Sequence, residues 1–264
     1  MISALILAHV LTANTVAAQQ PVLLRYKFHT GQSRRYKTVM DMNMKMNMGA
    51  QNMPMKMVMD SIVKQTVKSV DGSGAGHIAI QPISQNSTMY MNGKPTKSPM
   101  PSSTKTVNMT MAPDGEVSGL DVGGSNPMAM MGGGSSASPF AMTGALPSKA
   151  VSPGSHWNSS ANVMGSGIEM ASKLDRIGSV NGHSVAFISA SGSMDLGKML
   201  GAIGKGKGVT GSGSINMNLH YRFDITSGCL LDTSGTMTYK MNMGASKGSM
   251  DMNGVADMKV SLVQ

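Results

Sequence analysis

The chain has one cysteine, one tryptophan, four phenylalanines and five tyrosines in 264 residues. A single cysteine excludes an internal disulfide, so the fold must be held by its core, and Cys229 is expected to be a buried small hydrophobe. Aromatics make up 4% of residues. That leaves few stacking platforms, and no nucleic-acid motif appears, so no nucleic acid is expected as a partner. Beyond the N-terminus no apolar run approaches the roughly 20 residues that a membrane-spanning helix needs, so no transmembrane segment is expected. Acidic residues total 13. Several of them, Asp71, Asp114 and Asp175, sit where turns are expected. His29, His77, His156, His183 and His220 are dispersed, and none stands at a metal-ligand spacing from a second histidine. Gly165-Ser166-Gly167 lacks the flanks of a nucleophile elbow. Gly204-Lys-Gly-Lys-Gly208 lacks the spacing of a phosphate-binding loop and the Ser/Thr-led helix that follows one. No catalytic residues are assigned, and the chain is expected not to be an enzyme.

What it has in abundance is methionine, 30 in all. Met40, Met42, Met44, Met46 and Met48 alternate, as do Met53, Met55, Met57 and Met59 after Gly49-Ala50. A period of two means strand, with every thioether on one face. With Gly49-Ala50 as a two-residue type II′ turn, Met46 faces Met53, Met44 faces Met55, Met42 faces Met57 and Met40 faces Met59. A slip of two residues would set Lys45 against Lys56 and Asp41 against Asp60. Like charges directly opposite destabilise a ladder, so the first register is preferred. Met237, Tyr239, Met241 and Met243 share a second such face, and Met250 and Met252 return along it.

The N-terminus, Met1 to Leu11, is an apolar run of signal-peptide length, followed by Val16-Ala17-Ala18, small residues that a signal peptidase reads. Residues 1–18 are therefore expected to be a signal peptide, and the mature chain to be periplasmic or extracellular. No cysteine lies at the cleavage point to carry a lipid anchor. The formal charge is +9, with a concentration at Arg25, Lys27, Arg34, Arg35 and Lys37. This reads first as a solvated strand face and second as a peripheral contact with anionic envelope surfaces.

Strand signals continue through the chain. Val22–Phe28 alternates and reads as a strand, followed by strands over 34–48 and 51–70. Asp71-Gly72 is a hairpin signal leading to His77–Ile80. Lys105–Met111 then turns at Asp114-Gly115 into Glu116–Leu120. Gly, Ser and Pro dominate residues 123–147, a flexible linker. Alternation resumes from Trp157, which is expected to be a packed anchor. Met194–Ile203 reads as a short helix or loop. Gly31–Tyr36 parallels Gly154–Trp157, Ser69–Gly72 parallels Ser179–Gly182, and Met109–Val117 parallels Tyr221–Leu230. The common order of these matches predicts two similar halves, 19–122 and 148–264, of one sheet.

Leu146-Pro-Ser-Lys-Ala-Val-Ser-Pro-Gly-Ser-His-Trp157 resembles a leucine-proline, valine, glycine, tryptophan segment of an uncharacterised family of exported bacterial proteins. Leu24–Phe28, Arg35-Tyr36-Lys37, Tyr221–Ile225 and Gly228 are similar to that family as well. The resemblance implies an exported, β-rich envelope protein with a curved antiparallel sheet similar to the open half-barrels of lipoprotein carriers. It implies no activity, and the methionines are not part of it.

The fold expected is thus all-β or nearly so: a curved antiparallel sheet or open half-barrel with at most one short helix. Its methionine face has three readings. It is core filler in a structural or adhesive surface protein. It is an apolar face for a hydrophobic or lipid-like ligand, carried by Met42, Met44, Met46, Met53, Met55 and Met57. Or it is a Cu(I) site built from thioethers of Met42, Met44, Met55 and Met57, with copper the only cofactor in view.

Overall fold

A computed structural model describes residues 20–48, 51–97, 105–121, 145–163, 166–197, 210–245 and 248–263. The expected signal peptide, most of the linker and the Gly49-Ala50 turn lie outside the described residues.

The described residues form one twelve-stranded antiparallel sheet. Its strands are β1 (Ser33–Met48), β2 (Gln51–Val70), β3 (Gly76–Met91), β4 (Lys94–Lys97), β5 (Val107–Met111), β6 (Val117–Asp121), β7 (His156–Val163), β8 (Ser166–Val180), β9 (His183–Asp195), β10 (Thr210–Asp224), β11 (Cys229–Ala245) and β12 (Gly248–Val263). The order across the sheet is β6-β5-β3-β2-β1-β12-β11-β10-β9-β8-β7, with β4 attached to β3. Each half is a meander, and the halves join where β1 pairs β12. The sheet is curved and unclosed, with β6 and β7 as its two edges. No helix among the described residues is long and apolar enough to cross a membrane. Of the expected Met194–Ile203 helix or loop, Met194 and Asp195 belong to β9, and 198–203 lie outside the described residues.

The β1–β2 register is the expected one: Met40↔Met59, Met42↔Met57, Met44↔Met55 and Met46↔Met53. It sets Asn43 opposite Lys56 and lets Lys56 reach Asp41 diagonally at 2.7 Å, while Lys37 meets Asp60 at 2.7 Å. These exposed pairs contribute little stability each, but they reward one register over its neighbours. The proposed parallels fall at equivalent places. Gly31 and Gly154 precede the first strand of each half with φ of 83° and 90°. The 71–75 and 181–182 turns both lead from a second strand to a third. Asp71-Gly72 is part of a longer connection than expected: Asp71 accepts bonds from the Ser73 and Ala75 amides, and Gly74 rather than Gly72 carries the positive φ. Asp175 lies within β8, beside a register shift, and not at a turn.

One correction concerns residues 22–28. Their alternation is real, and Leu24, Tyr26 and Phe28 are buried. Yet they form no strand of the sheet; only Val22 makes an isolated bridge, to Val151. The segment instead lies across one end of the sheet. The Tyr26 amide donates to Pro113 and the Lys27 amide to Gly228 (2.7 and 3.0 Å). Phe28 sits where a side chain at Gly76 would be, 2.8 Å from an added Cβ. Arg25 donates to the carbonyls of Pro147 and Ser148, and Lys27 to that of Thr226. These two cations are thus latches rather than members of a free basic face. Trp157 donates to Ala145, packs on the core and ties 145–151 to the same end. This end of the sheet is closed; the paired strand ends Met48–Gln51 and Ala245–Gly248 are at the other.

The core is the face that the thioethers share. Neighbouring strands place large residues beside small ones, as close packing requires. Met40 and Met258 are followed by Gly235, and Met42, Ala256, Met237, Met217, Gly192 and Met170 form one row. Met170 occupies the space that a side chain at Gly192 would need. Cys229 is buried and forms no disulfide.

Candidate functional site

Pairing of β1 with β12 brings the two methionine hairpins side by side. Met46 lies next to Met252, which pairs Met241, and Met48 lies next to Met250, which pairs Met243. The result is a continuous thioether surface across β2, β1, β12 and β11. Met170, Met194 and Met217 extend it to β8, β9 and β10 on the same side.

Its exposure changes along the strands. Near the closed end Met59 and Met40 are 2% and 3% exposed, and Met57 and Met42 follow at 3% and 8%. Beyond them Met44, Met46, Met53, Met243 and Met252 are half-buried, while Met55 and, on β11, Met241 stay buried at 8% and 6%. Of the six methionines expected to carry a ligand face, Met42, Met55 and Met57 are therefore buried and Met44, Met46 and Met53 are partly open. All six share one side of one hairpin. The four considered for copper form two facing pairs, Met42↔Met57 and Met44↔Met55.

Rows of side chains along a strand are about 7 Å apart, two residues at a rise of about 3.3 Å. The row before the methionines is mixed: Ser61, Thr38 and Thr233 are buried in it beside Val260, near Tyr36, whose hydroxyl donates to the Leu230 carbonyl at 3.1 Å. Two methionine rows follow. The next row holds Met55, Met44, Gly254, Tyr239, Ile215, Met194 and Ile168. Tyr239 is 8% exposed, and its ring lies over Gly254: a Cβ there would meet the ring's Cζ at 2.6 Å. Its hydroxyl is buried and has no hydrogen-bond partner among the described residues. Burial holds it well above the usual tyrosine range. The sequence placed Tyr239 on the methionine face but held no sign that its hydroxyl would be orphaned.

Two grooves are lined mainly by polar residues. One, of about 680 Å³, runs along Asn158, Ser160, Glu169, Ser193 and Asn216 and is bordered also by Met170 and Met217. The second, of about 460 Å³, is bordered by Arg176, His220, Arg222 and Lys259. None of the six candidate methionines lines either. In the second groove Arg222 is already paired with Asp232 and Arg176 stacks on Phe187. Among the described residues no group of three His, Cys, Asp or Glu side chains is gathered as metal ligands would be.

No family model and no curated protein matches the chain. Among solved structures it is similar to a DUF1329 family protein from Desulfovibrio piger ATCC 29098, at 10% identity over 87% of this chain and 84% of that one, with a TM-score of 0.21. It is also similar to Pseudomonas aeruginosa OpdQ, at 8% identity over 88% of this chain and all of that one, with a TM-score of 0.26. Likeness this slight carries no argument about fold or function, and the architecture rests on the strand pairing itself.

Proposed function

We propose that this is a non-catalytic, exported envelope protein that holds a hydrophobic, lipid-like molecule in the open part of its methionine face. The observation that carries the reading is the gradient along one strand face. On β1, β2 and β12 the thioether surface that is sealed core at the closed end becomes half-buried toward the hairpin end, while Met241 on β11 stays buried. A structural protein with a finished core has no need to leave its most apolar rows partly open, since exposed contiguous apolar surface mainly marks a binding site. Methionine suits such a surface. Its unbranched, polarizable side chain repacks around differently shaped apolar partners. Export rests on the N-terminal apolar run and the Val16-Ala17-Ala18 site.

Native mass spectrometry of the mature protein, gently isolated from its own envelope fraction, tests this. A mass excess of lipid size is expected. A bare mass, together with no uptake of an added apolar fluorophore, overturns the reading in favour of a purely structural role. An excess of one or more copper ions, lost when Met42, Met44, Met55 and Met57 are all changed to Leu, overturns it in favour of a Cu(I) protein.

A further inference from the structure

Four buried side-chain polar atoms have no hydrogen-bond partner among the described residues: Gln32 Oε1, Ser159 Oγ, Thr233 Oγ1 and Tyr239 Oη. Tyr239 is the one that stands among the methionines of the thioether face, in the row where Met55 is buried and Met44 half-buried. A buried hydroxyl left unpaired is destabilising, and phenylalanine would fill the same volume without that penalty. The ring is also seated with some care, over a glycine that leaves room for it.

We propose that Tyr239 is the polar reading head of the concavity, and that its hydroxyl donates a hydrogen bond to a neutral carbonyl oxygen of an acyl ester or amide. This rests on the hydrophobic-ligand reading above and narrows it to a chemical class. The class follows from the surroundings. The phenol is held protonated by its burial, so it is a donor, and the ligand must bring an acceptor. Its row neighbours Met44, Met55, Ile215, Met194 and Ile168 are apolar, so the rest of the ligand is apolar too. No cation stands in that row. A carboxylate or phosphate would lose its hydration there with no opposite charge to replace it, whereas a neutral carbonyl loses far less. The ligand's carbonyl therefore stops at the Tyr239 row, with its chain among the neighbouring thioethers. Met44 in this row and Met252 in the next, both half-buried, are the side chains that repack to admit it.

The test compares two fluorescent probes of one apolar shape, methyl 12-(pyren-1-yl)dodecanoate and 1-dodecylpyrene, titrated into wild-type, Tyr239→Phe and Met44→Leu proteins. Wild type is expected to favour the ester by about 5–10-fold, the usual worth of one net hydrogen bond in a dry site. Tyr239→Phe should erase that preference by weakening the ester alone. Met44→Leu should move both probes together. In infrared spectra of the ester labelled with ¹³C at its carbonyl, the bound band should lie below that of Tyr239→Phe. If wild type binds both probes equally, or Tyr239→Phe weakens both alike, the reading head is refuted while the hydrophobic site stands. If wild type binds neither probe, the hydrophobic site itself falls, and this inference with it.

Discussion

The orphaned Tyr239 hydroxyl makes a prediction about the empty protein that is independent of any ligand. Three tyrosines, Tyr36, Tyr221 and Tyr239, are buried on the inner face, and phenylalanine at each deletes one oxygen and nothing else. Tyr36 donates to the Leu230 carbonyl at 3.1 Å. Its removal leaves that carbonyl short of a partner, which costs about 1–2 kcal/mol. Tyr221 has a long contact of 3.5 Å with Ser172, so the loss there should be about 0.5–1 kcal/mol. Tyr239 has nothing to lose. Removing a buried, unpaired hydroxyl should raise stability by about 1 kcal/mol or more, which corresponds to a Tm increase of about 2–4 °C in a chain of this size. Urea unfolding of ligand-free protein, followed by circular dichroism, gives the three midpoints. Opposite signs for Tyr239→Phe and Tyr36→Phe are expected. A loss at Tyr239 equal to that at Tyr36 would show that the hydroxyl has a partner in the folded protein, and would refute the reasoning. A group that weakens the resting fold yet persists is the pattern of a site kept for function.

Further outcomes follow from the packing and the charges. Met57→Ala, at 3% exposure, should cost about 3 kcal/mol, while Met46→Ala in the half-open row should cost below about 1 kcal/mol; similar losses at both would show that the face is uniformly core. Gly228 has φ 59°, and a Cβ there would meet the Lys27 backbone nitrogen at 2.6 Å. Gly228→Ala should therefore cost about 2–3 kcal/mol, and hydrogen exchange should show the Lys27 amide losing protection before the β10–β11 ladder does. Asp224 is buried. Burial by itself raises its pKa, but hydrogen bonds from the Ser227 side chain and amide, the Thr226 amide and His183 outweigh that and leave it below the ordinary range. Its stabilisation is then complete above the unfolded value of about 4 and is lost as pH falls through the lowered folded value. Asp224→Asn should cost about 2 kcal/mol at pH 7 and progressively less in acid, measured as urea midpoints from pH 7 to pH 2; a cost that does not change with pH would rule out the carboxylate as its source.

Much of this fold was legible because period-two alternation reports which side of a strand is covered. The β1–β2 register was readable to the residue, since Gly49-Ala50 as the two turn residues keeps the methionines together and also keeps Lys45 from Lys56. The β11–β12 hairpin followed from the same pattern. Alternation does not report which strand lies next door. The β1–β12 pairing joins residues from opposite ends of the chain, and no local signal distinguishes it from other antiparallel partners. The error at 22–28 has the same origin. Leu24, Tyr26 and Phe28 alternate because one side of that segment is buried, but the burial comes from lying across the end of the sheet. Its amides are satisfied by turn carbonyls at Pro113 and Gly228, which no pattern within 22–28 could reveal.

The site was legible by half for a related reason. Thioethers on one face were read from the sequence, and that face is where the structure puts them. Whether a methionine is core or mouth depends on what covers it, and coverage is a property of the closed end. Residues 22–28 and 145–151 close one end of the sheet, Met40 and Met59 are buried on that side, and Met44, Met46 and Met53 further along are half-buried. A hydrophobic ligand entering at the hairpin end would continue, row by row, the packing that these two segments begin at the other. The protein thus finishes its own core at one end of the sheet. On the proposed reading, it leaves the same chemistry at the other end to an outside molecule, with Tyr239 as the polar group among the thioethers there.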